Sequence, residues 1–176
     1  MAAAELRQLL VDESLWGRAV YVAPSFAGFT GLLVGSNYAG ALVGLLLLDP
    51  SHPRQGAEAL RILADAPPGP HVEKLRAFLA GFGPVWEQSC RDVTGIRWLG
   101  SLHLRVLAAG RFDLVEELPE GIKGRLMHSR HQMLSEYCAL GPRASLEVVA
   151  DAGRDISHQA ADVVVLAIKR MLETAL

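Results

Sequence analysis

Apolar positions recur at helical spacing through most of the chain. Prolines and glycines separate the apolar segments, because proline cannot continue a helix and both residues favour turns. No segment alternates apolar and polar residues convincingly with period two, and valine clusters such as 163–165 fall inside helical runs. Apart from one long apolar stretch, the predicted helices are 3–12, 55–65, 72–82, 85–92, 96–109, 121–140, 145–150 and 156–174.

One stretch, residues 19–48, carries no formal charge over thirty residues. About 20 apolar residues suffice to cross a bilayer, but polar residues and Pro24 interrupt this stretch, and basic residues beside it are sparse. We therefore interpret it as a buried central helix of a bundle, and keep a membrane span as an alternative.

Five glycines mark that stretch, with the pairs Gly31/Gly35 and Gly40/Gly44 each four residues apart. Each glycine costs a helix about 1 kcal/mol relative to alanine, and residues four apart share a helix face. The spacing predicts close contact with another helix or a second subunit, with a flat ligand against the glycine face as the alternative. A break near residues 35–37 would instead give two shorter helices.

Together these patterns predict an all-α protein. With 176 residues and 51% hydrophobic composition, the chain can form one full core, and no repeat or long linker divides it. The expected architecture is a single domain, 1–176, of about six to eight helices around the glycine-rich central helix.

Composition limits the partners. A net charge of -2 gives no basic field for nucleic acid or for an anionic membrane surface. Two cysteines are too few for a disulfide scaffold, and the first residues lack a secretory signal, so we expect a reduced, cytoplasmic protein. Arginine outnumbers lysine fourteen to three, which we attribute to a GC-rich bacterial genome. Because of this bias, the presence of an arginine at any one position is weak evidence for a functional role.

Two polar residues fall inside apolar helix faces. His103 lies on the inward face of the helix predicted over 96–109, as a neutral core residue, a general base or a metal or haem ligand. Arg130 lies at the centre of the apolar face of 121–140 and requires an anion. That anion is a carboxylate of another helix or a ligand's carboxylate or phosphate; alternatively, Arg130 faces a partner subunit.

Catalytic motifs are weak. His128 and His131 can begin a metal site but cannot complete one, and no Glu-x-x-His or His-Glu-x-x-His pattern occurs. No Gly-x-Ser-x-Gly turn appears, and an all-α chain lacks the strand that such a turn needs. Phosphate-binding loops are absent as well, so the sequence indicates neither nucleophilic catalysis nor nucleotide hydrolysis.

The favoured hypothesis is a small helical enzyme or ligand-binding protein of bacterial metabolism, including specialised metabolism. An apolar pocket would hold a small aromatic or carboxylate-bearing molecule, with haem or a metal ion as an optional cofactor. His103 and His131 would act as acid–base groups. Substrate-binding residues would be Arg130, Ser36, Asn37, Tyr38 and Tyr137.

Two alternatives remain open. The first is a non-catalytic dimerisation or protein-interaction module in which the charge-free helix forms a homodimer interface. The second is membrane association through residues 19–48.

Overall fold

The computed structural model describes residues 2–114 and 117–174 and contains a four-stranded parallel sheet. The strands follow each other across the sheet in chain order: β1 (Val20–Pro24), β2 (Gly44–Leu48), β3 (His103–Ala109) and β4 (Ala144–Val149). Helices connect and cover these strands. The prediction of an all-α bundle is therefore wrong.

Helix α1 (Ala2–Asp12) precedes β1, and α2 (Ala27–Asn37) connects β1 to β2. Three helices are inserted between β2 and β3, and two further helices follow β4. Five of the predicted helices, 3–12, 55–65, 72–82, 85–92 and 121–140, are confirmed to within a few residues. The helix predicted over 156–174 is also present, but it is divided into two helices at Ala160. The remaining helices are α3 (Gln55–Ala64), α4 (Pro70–Ala80), α5 (Pro84–Thr94), α6 (Glu120–Ser135) with a 3₁₀ helix (Glu136–Leu140), α7 (Ile156–Gln159) and α8 (Ala161–Glu173).

Strand β2 explains why the charge-free stretch misled the prediction. Leu45 and Leu47 pack with α2 on one face of the sheet, whereas Leu46 and Leu48 pack with α8 on the other. Because both faces are covered, the strand is continuously apolar rather than alternating, as in buried parallel sheets generally. Such a short apolar run cannot be told from a buried helix by periodicity. Residues 19–48 thus form a strand, a helix and a strand instead of one central helix.

The segments predicted as helices 96–109 and 145–150 are also corrected. Most of the first is β3, paired with β2, and most of the second is β4, paired with β3. In β3, all residues from Val106 to Ala109 are buried, so pairing and double-sided packing override the apparent helical period.

Gly31 shows that close contact was correctly expected but assigned to the wrong partner. A Cβ at Gly31 would lie 2.5 Å from Leu45 Cδ1 and 2.8 Å from Tyr21 Cδ1. The glycine therefore lets α2 lie close against strands β1 and β2, and the contact is between a helix and a sheet.

Helices α3 and α4, with the start of α6, form a second apolar cluster beyond the carboxyl ends of the strands. The register pairs Pro24 with Leu48 and Leu48 with Leu107, so these strands end at a common edge. Residues that follow the strands consequently meet there, beneath the inserted helices. Within the described ranges, no helix combines the length and apolar character needed to cross a membrane.

Candidate functional site

Ser25 occupies a strained turn between β1 and α2. Its φ is +49°, a conformation that costs a non-glycine residue about 1–3 kcal/mol and that often marks functional sites. The turn is fixed on both sides, because Ser25 N donates to Leu48 O at 2.9 Å and Ser51 N donates to Ser25 O at 3.1 Å. The serine is thus held at the edge where the strands end.

Small residues allow this turn to be sharp. Ala23 lies two residues before the serine and Ala27 two residues after it, and Ala23 is completely buried. At Gly28 a Cβ would lie 3.3 Å from both Leu47 Cδ2 and Pro50 Cβ. The sequence Ala-Pro-Ser-Phe-Ala-Gly therefore brings α2 close to β2 directly after the serine.

Ser25, Arg154 and Asp113 are linked by hydrogen bonds. Arg154 follows β4, and its Nη2 donates a hydrogen bond to Ser25 Oγ at 3.1 Å. Asp113 follows β3, and its Oδ2 accepts a hydrogen bond from the backbone N–H of Arg154 at 3.1 Å. The acid thus positions the backbone of the arginine whose side chain reaches the serine.

Asp49 and Arg130 form a buried ion pair beside this group. The Asp49 side chain is only 1% exposed and receives Arg130 Nε at 3.0 Å and Nη2 at 2.9 Å. The N–H of Ala109 donates to the same carboxylate at 3.2 Å, and Arg154 Nε lies 3.8 Å from it. A bidentate contact of this kind is the geometry that a guanidinium and a carboxylate favour.

A cavity of about 430 Å³ opens above these residues. Ser25, Asp49, Asp113, Arg130 and Arg154 line its base. The inserted helices and α6 form its apolar walls, which include Leu75, Phe78, Leu79, Phe82, Trp86 and Met133. A largely apolar cavity with a few convergent polar groups is the usual form of a small-molecule site.

Two buried titratable side chains lie beside the site. Burial lowers the pKa of the His52 imidazole to about 4, although the nearby Glu136 carboxylate acts in the opposite direction. Burial likewise raises the pKa of the Tyr137 hydroxyl, which donates to Ser51 O at 2.7 Å. Both groups are therefore neutral near pH 7 and act as internal hydrogen-bonding groups.

The structure brings three of the predicted site residues to this end of the sheet. Arg130 lines the cavity and forms the internal ion pair that was one of its three interpretations, although the carboxylate follows a strand rather than lying on a helix. His131 Nε2 lies 2.8 Å from Ala109 O, and since a carbonyl only accepts, this nitrogen carries the proton. Tyr137 contacts Ser51 but does not line the cavity.

The other four predicted site residues lie at the opposite end of the sheet. His103 begins β3, and its Nδ1 lies 3.1 Å from Thr174 Oγ1. It is half-buried on a strand, not buried on a helix face as predicted. Ser36, Asn37 and Tyr38 lie where α2 ends, whereas Ser25 lies where α2 begins. These four residues therefore do not share a cavity with Arg130.

Sequence reasoning missed Ser25, Asp49, Asp113 and Arg154. Their common feature is positional and becomes visible only once the strands are known, because each of these residues follows one of the strands at 20–24, 44–48, 103–109 and 144–149. In the described ranges, no group of three or more histidine, cysteine, aspartate or glutamate side chains is arranged to hold a metal ion.

The sequence matches no known family model and no curated protein. Its fold does match solved structures. A probable hydrolytic enzyme from Pseudomonas aeruginosa has a TM-score of 0.58 at 16% identity, over 97% of this chain and 68% of that one. An α/β hydrolase enzyme from the metagenome of Moroccan lagoon sediments has a TM-score of 0.55 at 11% identity, over 99% and 69%. A thermophilic esterase from Thermogutta terrifontis has a TM-score of 0.54 at 19% identity, over 98% and 71%.

The described part of the chain therefore has the fold of the α/β hydrolases. This finding overturns the hypotheses of a small helical enzyme or ligand-binding protein, with or without haem, and of a non-catalytic helical module, because both required an all-α bundle. In this fold, a nucleophilic serine occupies a strained strand-to-helix turn, usually Gly-x-Ser-x-Gly, and an acid and a histidine follow later in the chain. Here Ser25 also lies between a strand and a helix, with alanines at the positions of the two glycines, and Asp113 and Arg154 follow later strands.

Proposed function

We propose that this protein cleaves small, largely apolar carboxylic esters or thioesters, with Ser25 as the nucleophile. One observation carries the proposal: Ser25 lies on a strained turn at the base of an apolar cavity, with Asp113 and Arg154 following β3 and β4 beside it. The strain is informative because the fold maintains it at the residue that the chemistry requires.

The cavity supports an apolar substrate. Phe82 and Trp86 stack with ring centroids 4.4 Å apart, and Phe26, next to the serine, stacks on Trp86 at 5.5 Å. An acyl group or an apolar alcohol or thiol bound along these rings would bring its carbonyl carbon to Ser25 Oγ. The backbone N–H of Phe26 would then stabilise the oxyanion, as the residue after the nucleophile does in this fold.

Arg154 determines which leaving groups the site can release. A guanidinium stabilises negative charge developing on Ser25 Oγ, but it cannot accept the serine proton at physiological pH. When Oγ bonds to the carbonyl carbon, the proton must pass to the departing group or to solvent. Esters with weakly basic leaving groups and thioesters, which release a thiolate, are therefore the expected substrates.

The test measures release of 4-nitrophenolate from 4-nitrophenyl butyrate by the wild type and by Ser25→Ala. We expect Ser25→Ala to lose release above the uncatalysed rate, and a fluorophosphonate probe to modify Ser25 of the wild type. Ser135→Ala is the matched control, because this exposed hydroxyl donates only to Gln132 O within its own helix. Equal release by the Ser25→Ala variant and the wild type would overturn the proposal.

A further inference from the structure

Arg154 raises the question of what happens after Ser25 has been acylated. In a serine hydrolase, a histidine removes a proton from the water that releases the acyl group. All six histidines of this chain belong to the described residues, and none of them hydrogen-bonds to Ser25 or lines the cavity. The side chain beside Oγ is instead a guanidinium.

The two carboxylates at the base of the cavity are already engaged. Asp49 accepts two hydrogen bonds from Arg130 and one from Ala109 N–H, and Asp113 accepts the N–H of Arg154. Among the described residues, neither carboxylate hydrogen-bonds to Ser25 Oγ, and both instead hold the arginines and backbone N–H groups beside the serine. Activation of water is therefore weak at this site.

We propose that Ser25 retains the acyl group it accepts and passes it to an uncharged amine in preference to water. This inference rests on the proposed function, because it requires Ser25 to be the nucleophile. It assigns to the site an acyl-transfer activity in addition to ester cleavage.

The choice of an amine follows from proton chemistry. Water, alcohols and thiols must lose a proton to become effective nucleophiles, whereas an uncharged amine attacks with its own lone pair. The C–N bond forms, the C–Oγ bond breaks, and the proton that the nitrogen must lose goes to Ser25 Oγ, which restores the hydroxyl. The products are an amide and free Ser25, and no other base is consumed.

The cavity also determines the charge of the acceptor. Its charged lining among the described residues comprises Arg111, Arg130 and Arg154 against Asp49 and Asp113, and its walls are aromatic and aliphatic. This environment disfavours an alkylammonium ion, which carries positive charge and is costly to desolvate. A weakly basic amine such as an arylamine is uncharged at neutral pH and fits the apolar walls.

The test follows the wild type with 4-nitrophenyl acetate by stopped flow and by intact mass. We expect a burst of one nitrophenolate per protein and an acetyl group on Ser25. Hydrolysis of the acetyl group should be about 100-fold or more slower than at a serine site that has a histidine base, since a positioned general base contributes about 10²–10⁴-fold. Aniline should accelerate loss of the acetyl group and yield acetanilide, whereas n-butylamine, a cation at neutral pH, should not.

Three results would separate the outcomes. Ser25-dependent turnover without a burst or an acetylated protein would overturn this inference and leave the proposed function intact. An acetylated protein that aniline does not discharge would overturn the assignment of the acceptor. Failure of Ser25 to release nitrophenolate at all would overturn the proposed function itself.

In a folded Arg154→His variant, the acetyl group should be lost to water faster, and an unchanged lifetime would contradict the role given to Arg154.

Discussion

Arg154 Nη2 donates a hydrogen bond to Ser25 Oγ across 3.1 Å and joins two residues that lie 129 positions apart in the sequence. The contact is possible because β1 and β4, the two outer strands of one parallel sheet, have their carboxyl ends on the same side of it. It places a permanent cation on an oxygen whose chemistry usually requires a base.

The pH profile of acylation should reveal the absence of an imidazole at Ser25. For the wild type with 4-nitrophenyl esters, we expect the burst rate to rise with pH without a plateau near neutrality, because a guanidinium does not titrate there. Arg154→His should introduce an inflection at pH ~6.5, the ordinary pKa of histidine. A plateau near that pH in the wild type would indicate that another histidine acts as the base.

The strain at Ser25 should be measurable as a difference between two variants. Ser25→Gly and Ser25→Ala both remove the hydroxyl, but only glycine adopts φ +49° without steric cost. We expect Ser25→Gly to be more stable than Ser25→Ala by about 1 kcal/mol or more in urea unfolding. Equal stabilities would show that the backbone conformation is not strained.

The Asp113 side chain should leave no room for a side chain at position 153. A Cβ at this residue would lie 1.8 Å from Asp113 Oδ2, so Gly153→Ala must displace the acid that holds the Arg154 backbone. We expect a loss of about 1–3 kcal/mol of stability and a reduced burst rate. Gly124→Ala is the control, because a Cβ there meets open space within α6, and it should gain up to about 1 kcal/mol. Normal activity in Gly153→Ala would contradict the positioning role of Asp113.

Removing the Arg130 side chain should destabilise the protein strongly. Arg130→Met leaves the buried Asp49 carboxylate without its bidentate partner and with only the longer contact to Arg154, and breaking a buried pair in this way costs about 3–5 kcal/mol. The control is Arg125→Met, which breaks an exposed ion pair with Asp65 and should cost under about 1 kcal/mol. Urea unfolding of both variants measures the difference. Similar losses in the two variants would argue against a structural role for the Arg130–Asp49 pair.

His52 should make the protein less stable in acid. Its pKa is about 4 in the folded state and near the usual 6.5 when unfolded, so the unfolded chain binds the additional proton between those values. The contribution of His52 is complete above pH ~6.5 and is lost as the pH falls towards ~4. Glu136 partly opposes this shift, whereas Arg54 and Arg130 add to it.

Urea midpoints at about pH 7, 6 and 5 should therefore fall less steeply for His52→Asn than for the wild type. His158→Asn is the control. The exposed His158 is paired with Asp155, which raises the pKa of the imidazole and moves its effect to higher pH. An unchanged acid slope in His52→Asn would exclude His52 as its source.

The physical reason for which the sequence indicated Arg130 holds in the observed fold as well as in the predicted one. Residue 130 does lie on a helix, and a guanidinium within an apolar face must find an anion wherever that face packs. The helix pattern of α3, α4, α5 and α6 was likewise readable, because each of these helices has one exposed face and one packed face.

The strands were not readable in the same way. Leu45 to Leu48 are buried on both faces of the sheet and carry no alternation, so local periodicity could not distinguish strand from helix. Because no strand was predicted before Ser25, the sequence indicated no strand-to-helix turn at this residue. Alanines at positions 23 and 27 also replace the two glycines of the Gly-x-Ser-x-Gly motif. The proximity of Ser25, Asp113 and Arg154 is a product of sheet register, and local sequence pattern does not encode it.

The insertion between β2 and β3 supplies most of the cavity walls, while Ser25, Asp113 and Arg154 follow β1, β3 and β4. Substrate shape and reaction chemistry thus reside on separate stretches of the polypeptide. Substitutions along residues 55–94 can reshape the chamber without shifting the strand ends that align the reacting groups. The insertion is a natural target for engineering: a different set of helices between the same two strands would present new acyl groups to an unchanged serine.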